Sequence, residues 1–124
     1  MGNRFKGKLD RTRGIQLFKF QYNGIDYRVK SSQHSLDRFV DHGVNYQDSL
    51  TGIIALGKER LDYFANQGAD VAIIDKQKHI TTILVFESEG NYCEIRICTI
   101  IPRDRVFLKD GTKCFCLKNF KGGL

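Results

Sequence analysis

The stretch SSQHSLDRFVDHGVNYQDSLTGIIALGKER, residues 31–60, decides the fold, because no other part of the 124-residue chain has a clear helical period. When residues 33–42 are placed on a helix at 100° per residue, Leu36, Phe39 and Val40 share one side. Their spacing is that of a stripe that faces a protein core. The sequence therefore predicts an amphipathic helix here.

The opposite side of this predicted helix carries candidate chemistry. His34 and Arg38 lie there, together with Asp41 or His42. Residues four apart are neighbours on a helix surface, so His34 and Arg38 can act on the same object. A proton-transfer group beside a fixed cation suits work on a phosphodiester. A purely solvated helix face is the alternative interpretation of the same pattern.

Length and composition indicate one globular domain. Hydrophobic residues make up 41% of the chain and charged residues 27%, as in ordinary soluble proteins. No apolar run approaches the roughly 18 residues of a membrane span. The opening residues also lack the apolar segment of a secretory signal. We therefore expect a cytoplasmic protein that does not contact a membrane.

The net charge of +6 and the sequence pI of about 9.3 favour an anionic partner, of which nucleic acid is the commonest. Residues 1–14 contain five basic residues and one acidic residue, which predicts a flexible basic arm. Such an arm either follows a phosphate backbone or is a solvated terminus. Residues 15–118 then form a single α+β domain, and residues 119–124 form a tail.

The remaining titratable side chains do not form a recognised metal motif. Cys93 and Cys98 have the spacing C-x4-C, and Cys114 and Cys116 the spacing C-x-C, neither of which matches a standard zinc site. We interpret them as thiols in a reducing compartment. His79 follows two lysines in a turn and is interpreted as a solvated histidine. No metal and no cofactor is expected.

The residues before the helical stretch predict a hairpin. Residues 15–30 alternate between apolar and polar side chains around Asn23-Gly24, which is the strongest short hairpin signal. One face of this hairpin is apolar. The other face carries Arg28 and Lys30 and is predicted to be wet and basic.

The residues after the first helix predict two more helical segments and a meander. A cap at residues 45–48 precedes a second helix that is closed by Gly57, and residues 58–67 form either a third helix or the start of a strand. Strands are predicted over residues 71–74, 80–86, 92–101, 106–108 and 113–117. The fold class is therefore α+β, with an N-terminal β-hairpin, two to three short helices and a four- to five-stranded antiparallel sheet.

The longest predicted strand, residues 92–101, also assigns side chains to faces. Because alternate residues of a strand share a face, Ile97 and Thr99 are predicted on one face and Ile100 on the other. Pro102 ends this strand.

The pattern His34-x-x-x-Arg38-Phe39-x-x-x-Gly43-Val44, followed by a short helix, resembles the opening of small toxin-like and phage-encoded ribonucleases. These enzymes belong to the barnase–EndoU–colicin D/E5–RelE-like class. A strand over residues 72–75 and the strand end Thr99-Ile100-Ile101-Pro102 look similar as well. The resemblance covers roughly residues 31–117.

The resemblance implies a metal-independent endoribonuclease, in which the RNA 2′-hydroxyl attacks the adjacent phosphate and leaves a 2′,3′-cyclic phosphate. Such a site needs a proton-transfer group and cations or hydrogen bonds on the phosphate oxygens. On this chain the implied catalytic residues are His34 as acid or base, Arg38 on the phosphate, and Thr99 as a strand hydroxyl. The residues expected to bind substrate are Lys30, Arg28, Arg96 and His42.

The resemblance also implies a biological setting. The chain would be the toxin of a toxin–antitoxin pair or a phage-encoded nuclease, and an acidic antitoxin or immunity protein would complement its charge. The alternative is a non-catalytic basic binding module, which holds nucleic acid or, as a phage inhibitor, binds a host protein. Turnover of RNA distinguishes the two.

Overall fold

A computed structural model describes residues 11–68 and 70–117. The elements in chain order are β1 (Ile15–Tyr22), β2 (Ile25–Ser31), α1 (Gln33–Asp41), α2 (Tyr46–Ala55), α3 (Gly57–Gln67), β3 (Asp70–Asp75), β4 (Ile80–Glu89), β5 (Tyr92–Ile101) and β6 (Lys113–Leu117). The α+β class is confirmed. No helix in the described ranges is long and apolar enough to cross a membrane.

The strands form one six-stranded mixed sheet with the order β1-β2-β5-β4-β3-β6. β2 runs parallel to β5, and β3 runs parallel to β6, whereas the other three pairs of neighbours are antiparallel. The prediction of a separate antiparallel sheet therefore needs correction, because the hairpin is part of the sheet. Alternation along a strand reveals its two faces but not its partners.

The predicted last hairpin does not form. Residues 106–108 lie outside the strands, and Phe107 is fully exposed. β6 instead adds to the outer edge of β3, where Phe115 pairs with Ile73 in parallel. The turn signal at Asp110-Gly111 is real, since Gly111 has a φ of +90°, but it does not join two strands.

All three helices pack on one face of the sheet, with α1 against β5, α2 against β3 and α3 against β4. Each helix contributes at least one apolar side chain that is 2% exposed or less, namely Phe39, Ile53 and Leu61 respectively. The sheet supplies the other half of the core, mainly Val29, Leu84, Phe86, Ile95 and Ile97. Burial of each such side chain stabilises the fold by about 1.5–3 kcal/mol.

The predicted hairpin turn and the predicted cap of the second helix are confirmed, and the other two helices also have local caps. Asn23 and Gly24 both have positive φ, 51° and 75°, as a two-residue hairpin turn requires. The Ser32 hydroxyl caps α1, and the Asn45 side chain caps α2. Gly68 adopts the left-handed conformation that ends α3.

The buried stripe of α1 is narrower than predicted. Phe39 is 2% exposed, but Val40 is 77% exposed and lies outside the core. The helix turns Ser35 and Phe39, which are four residues apart, toward the sheet, and the Ser35 hydroxyl donates to the carbonyl oxygen of Cys98 at 3.0 Å. Val40 lies on the opposite side of the helix from this contact and faces solvent.

A β-bulge in β5 changes the face of its last residues. Leu84 pairs with Ile97, whereas Ile83 pairs with Thr99, so Cys98 is an extra residue. Ile100 is therefore buried in the core, 1% exposed, and Thr99 lies on the face away from the helices. The predicted placement of Thr99 beside Ile97 is wrong for this reason.

The face away from the helices contains a buried ion-pair network. Glu94 is completely buried, and its carboxylate lies 3.1 Å from Lys30 and 2.6 Å from Arg96. Arg96 also lies 2.9 Å from Glu87, and Lys30 donates to the carbonyl oxygen of Arg11. The hairpin face that was predicted to be wet is thus covered at Lys30, because β5 supplies the carboxylate beside it.

The predicted basic arm is described only from residue 11 onward, and residues 1–10 and the tail at 119–124 lie outside the described residues. The Arg11 guanidinium carbon lies 4.1 Å from the centre of the Tyr92 ring, and one of its nitrogens lies 3.3 Å from the Glu89 carboxylate. This end of the arm therefore rests on the face of the sheet opposite to the helices.

Replacement of Glu94 by Ala is expected to lower the free energy of unfolding by about 3–5 kcal/mol, because the buried Lys30 and the partly buried Arg96 lose their shared carboxylate. Urea denaturation monitored by circular dichroism measures this change. Glu59→Ala, an exposed carboxylate in the first turn of α3, is the matched control and should change stability by less than about 1 kcal/mol. Equal effects of the two substitutions would contradict the network.

Cys93 makes the stability of the fold depend on pH in the alkaline range. Its side chain is completely buried, and burial raises the pKa of its thiol to about 12. In the unfolded chain the thiol ionises near pH 8.5. The unfolded state therefore releases a proton that the folded state keeps, and stability falls from about pH 9 to about pH 12.

Cys93→Ala should flatten this fall by up to about 1.4 kcal/mol per pH unit, as measured by urea denaturation at a series of pH values. Tyr27, whose buried hydroxyl also has a raised pKa, accounts for part of the slope that remains. Cys116→Ala, at an exposed position, is the control and should keep the full slope. A slope that is the same for all three proteins contradicts the assignment to Cys93.

Candidate functional site

Three of the predicted site residues form one exposed stripe along α1. His34, Arg38 and His42 are each four residues apart, so each step advances about 6 Å along the helix and about 40° around it. All three side chains are exposed, and none has a hydrogen bond or ion pair with another residue of the described ranges. The structure thus brings these three predicted residues together on a surface that a ligand can reach.

The sheet fixes the position of this stripe. Pairing of β2 with β5 ends at Ile97, and the chain then passes from β2 into α1. The Ser32 hydroxyl accepts a hydrogen bond from the backbone N–H of Ser35, whose own hydroxyl donates to the carbonyl oxygen of Cys98. His34 is therefore next to the residue that anchors α1 to the end of β5.

Thr99 does not join the α1 stripe. It follows Cys98 in the chain, so its backbone is close to the first turn of α1. Its side chain is half-buried and shares the outer face with Ile83, because of the bulge. The sheet thus separates the Thr99 hydroxyl from α1.

The cations predicted on the sheet are already paired with carboxylates. Arg28 makes two hydrogen bonds of 2.8 Å with Asp26, which lower the pKa of the Asp26 carboxyl and raise that of the Arg28 guanidinium. Lys30 and Arg96 share Glu94. A phosphate would have to displace these carboxylates, which costs part of the stability of the sheet.

Sequence reasoning missed a second histidine site, which lies where β3 turns into β4. His79 has a left-handed backbone, φ 58°, and its Nδ1 lies 2.8 Å from a carboxylate oxygen of Asp104. This hydrogen bond lowers the pKa of the Asp104 carboxyl, and the charges of His79, Lys76 and Arg105 lower it further. The His79 side chain is still 74% exposed, so most of the ring faces solvent.

A cavity of about 460 Å³ adjoins this pair. It is lined by Ile101, Arg103, Arg105, Val106 and Phe107. The Thr81 hydroxyl donates to the carbonyl oxygen of Arg103 at 2.8 Å and so holds the segment against β4. The signal in the sequence is an Arg-Asp-Arg triplet directly after the strand-ending proline, but its partner His79 is distant along the chain.

Within residues 11–68 and 70–117, no group of three or more His, Cys, Asp or Glu side chains is placed to hold a metal ion. The four cysteines, all of them in these ranges, form no disulfide. The resemblance carried by His34, Arg38 and Gly43 rests on the sequence pattern alone, since no protein-family model, no curated protein and no solved structure matches this chain.

Proposed function

We propose that this protein is a cytoplasmic, metal-independent endoribonuclease that cleaves RNA by attack of the 2′-hydroxyl on the adjacent phosphate. The observation that carries the proposal is the exposed stripe of His34, Arg38 and His42, in which no described carboxylate pairs with the cation. Arg28, Lys30 and Arg96 on the sheet are paired with carboxylates within the fold, whereas the charge on α1 is available to an anionic substrate. The net charge of +6 attracts such a substrate to the surface.

His34 is the proton-transfer group of the proposed reaction. An imidazole has one nitrogen that can accept a proton and one that can donate a proton, so it can accept the proton of the 2′-hydroxyl or donate one to the leaving 5′-oxygen. The nucleophile and the leaving group both belong to the RNA. The chemistry thus requires proton transfer and charge stabilisation from the protein, and His34 supplies the first of these.

Arg38 stabilises the charge that develops on the phosphate. It is one helical turn from His34, and its planar guanidinium can bind two nonbridging oxygens at once. Such donors act most strongly where negative charge increases in the transition state. His42 is one turn further along the same side and contacts the neighbouring part of the RNA.

The carboxylates of α1 limit where the phosphate can bind. Around the helix axis the exposed residues follow the order Asp37, Asp41, His34, Arg38, His42, at 100° per residue. Negative charge is thus on one side of His34 and positive charge on the other. The phosphate is expected on the side of Arg38 and His42. The His34 imidazole then lies at the boundary between the acidic side and the basic side of the helix.

The proposed biological setting is that of a toxin or a phage-encoded nuclease. A partner with acidic side chains, such as an antitoxin or immunity protein, would complement the α1 stripe and cover His34. Binding of such a partner would block access to RNA without any change in the fold.

His34→Ala is expected to reduce the cleavage rate of a labelled single-stranded RNA at least a hundredfold, because the proton-transfer group is lost. Cleavage is measured in EDTA, and the wild-type products should carry 2′,3′-cyclic phosphate ends. Affinity for an uncleavable 2′-deoxy oligonucleotide should remain within about twofold. Val40→Ala, an exposed position on the same helix, is the control and should cleave at the wild-type rate.

Absence of cleavage by the wild-type protein, on several RNAs and with ribosomes added, would rule against the nuclease. The chain would then be a binding module, and loss of affinity on substitution of Arg38 and His42 would locate its surface.

Thr99→Val tests whether the strand hydroxyl takes part in the reaction. The substitution keeps the shape of the side chain, and the hydroxyl lies on the face away from α1, so the cleavage rate should stay within about twofold of wild type. A loss of tenfold or more in kcat, with a normal urea midpoint, would show that the Thr99 hydroxyl itself takes part in the reaction.

A further inference from the structure

We propose that residues 101–107 form a subsite for one nucleotide of single-stranded RNA, with the phosphate on Arg103 and Arg105 and the base on Phe107. This inference rests on the proposed function and adds to it a second contact with the substrate. The ligand class follows from the cavity itself, which combines two cations, apolar lining side chains and an exposed aromatic ring.

The cavity has the size and the lining of a ligand site. Its volume of about 460 Å³ lies in the range of roughly 300–1,000 Å³ that is typical of small-molecule sites. Ile101 and Val106 give it apolar lining, and Arg103 and Arg105 give it positive charge. A ligand that fits both must have a flat apolar part and an anionic part, and a nucleotide has both.

The two arginines of the cavity form no direct ion pair within the described residues. Neither Arg103 nor Arg105 has an ion pair with a carboxylate there, in contrast to Arg28 and Arg96 on the sheet. The carboxylate between them, Asp104, is hydrogen-bonded to His79 at 2.8 Å. His79 thereby holds a carboxylate that would otherwise compete with a phosphate for the arginines.

Phe107 is suited to contact a base. Its ring is fully exposed, whereas most of the apolar side chains of the sheet and helices are buried. An unpaired base can stack on an exposed aromatic ring with little regard to sequence, and loss of one such contact commonly weakens binding about tenfold. Because a paired base is not free to stack in this way, the subsite selects single-stranded RNA.

The first residues of the subsite, 103 and 104, are held in place before any ligand binds. The Arg103 carbonyl oxygen accepts a hydrogen bond from Thr81, and the Arg103 N–H donates to the carbonyl oxygen of Ile101 at 2.7 Å. The hydrogen bond between the side chains of His79 and Asp104 fixes the position of Asp104, the residue after Arg103. A segment anchored in this way loses little conformational freedom on binding.

The subsite is close enough to α1 to act on the same RNA molecule. Cys98, whose carbonyl oxygen is bonded to α1, and Arg103 are five residues apart, a distance of at most about 18 Å along extended chain. Ile101 pairs with Thr81 and lies, like Thr99, on the face away from α1, so one strand of RNA that contacts both His34 and the cavity must pass around the end of β5. The subsite would then determine which nucleotide is bound at a fixed distance from the cleaved bond.

Binding of a fluorescein-labelled, uncleavable 2′-deoxy oligonucleotide, measured by anisotropy at several salt concentrations, tests the subsite. Phe107→Ala should weaken binding about tenfold with an unchanged dependence on salt, because it removes stacking and no charge. Arg105→Gln should weaken binding and lower the slope of log Kd against log salt by about one. Lys58→Gln, an exposed cation on α3, is the control for loss of one positive charge.

The role of His79 has its own test. His79→Ala releases the Asp104 carboxylate toward the arginines and should weaken oligonucleotide binding several-fold. Asp104→Asn added to His79→Ala should restore the affinity, because the competing charge is gone. A loss that the second substitution does not restore would overturn this role of His79.

The outcomes separate the subsite from the proposed nuclease. If Phe107→Ala and Arg105→Gln bind no worse than Lys58→Gln, the subsite is overturned, even where His34-dependent cleavage is present. If they bind worse as described and no RNA is cleaved, the subsite stands and the nuclease fails. Equal loss of affinity by Phe107→Ala for double-stranded RNA would also overturn the subsite, since stacking on an unpaired base would not explain it.

Discussion

The shared ion pairs of Glu94 hold the N-terminal hairpin on the rest of the sheet. Glu94 is completely buried in β5, and one of its two cations, Lys30, comes from β2. A buried carboxylate is tolerated only where its cations are in place, so the network fixes the alignment of the two strands. A slip of one residue would turn Lys30 toward the helices and place an unpaired charge in the apolar core.

This network also determines where the protein presents positive charge. Arg28, Lys30 and Arg96 are engaged with carboxylates on the sheet, so they stabilise the fold and contribute little to the field outside it. The cations without such partners in the described ranges include Arg38 on α1 and the arginines after β5. The fold therefore separates structural charge from charge that is available to a ligand.

The sequence predicts best what depends on neighbouring residues. Ser32, Asn45 and Gly68 act within a single turn, and the helices they limit were predicted to within a few residues. The parallel pairing of β2 with β5 and the contact of His79 with Asp104 join distant parts of the chain, and alternation or spacing cannot reveal them. The bulge at Cys98 is of the same kind, because it is defined only against a partner strand and moves Thr99 to the other face.

The pairing of β2 with β5 has a consequence for the order of folding. Tyr27 pairs with Cys93, and Val29 with Ile95, so β2 is synthesised long before its inner partner exists. Contacts so distant in sequence form slowly, and until then the hairpin exposes a row of unpaired backbone groups. During translation this edge is open to association with other chains until β5 has left the ribosome and closed it.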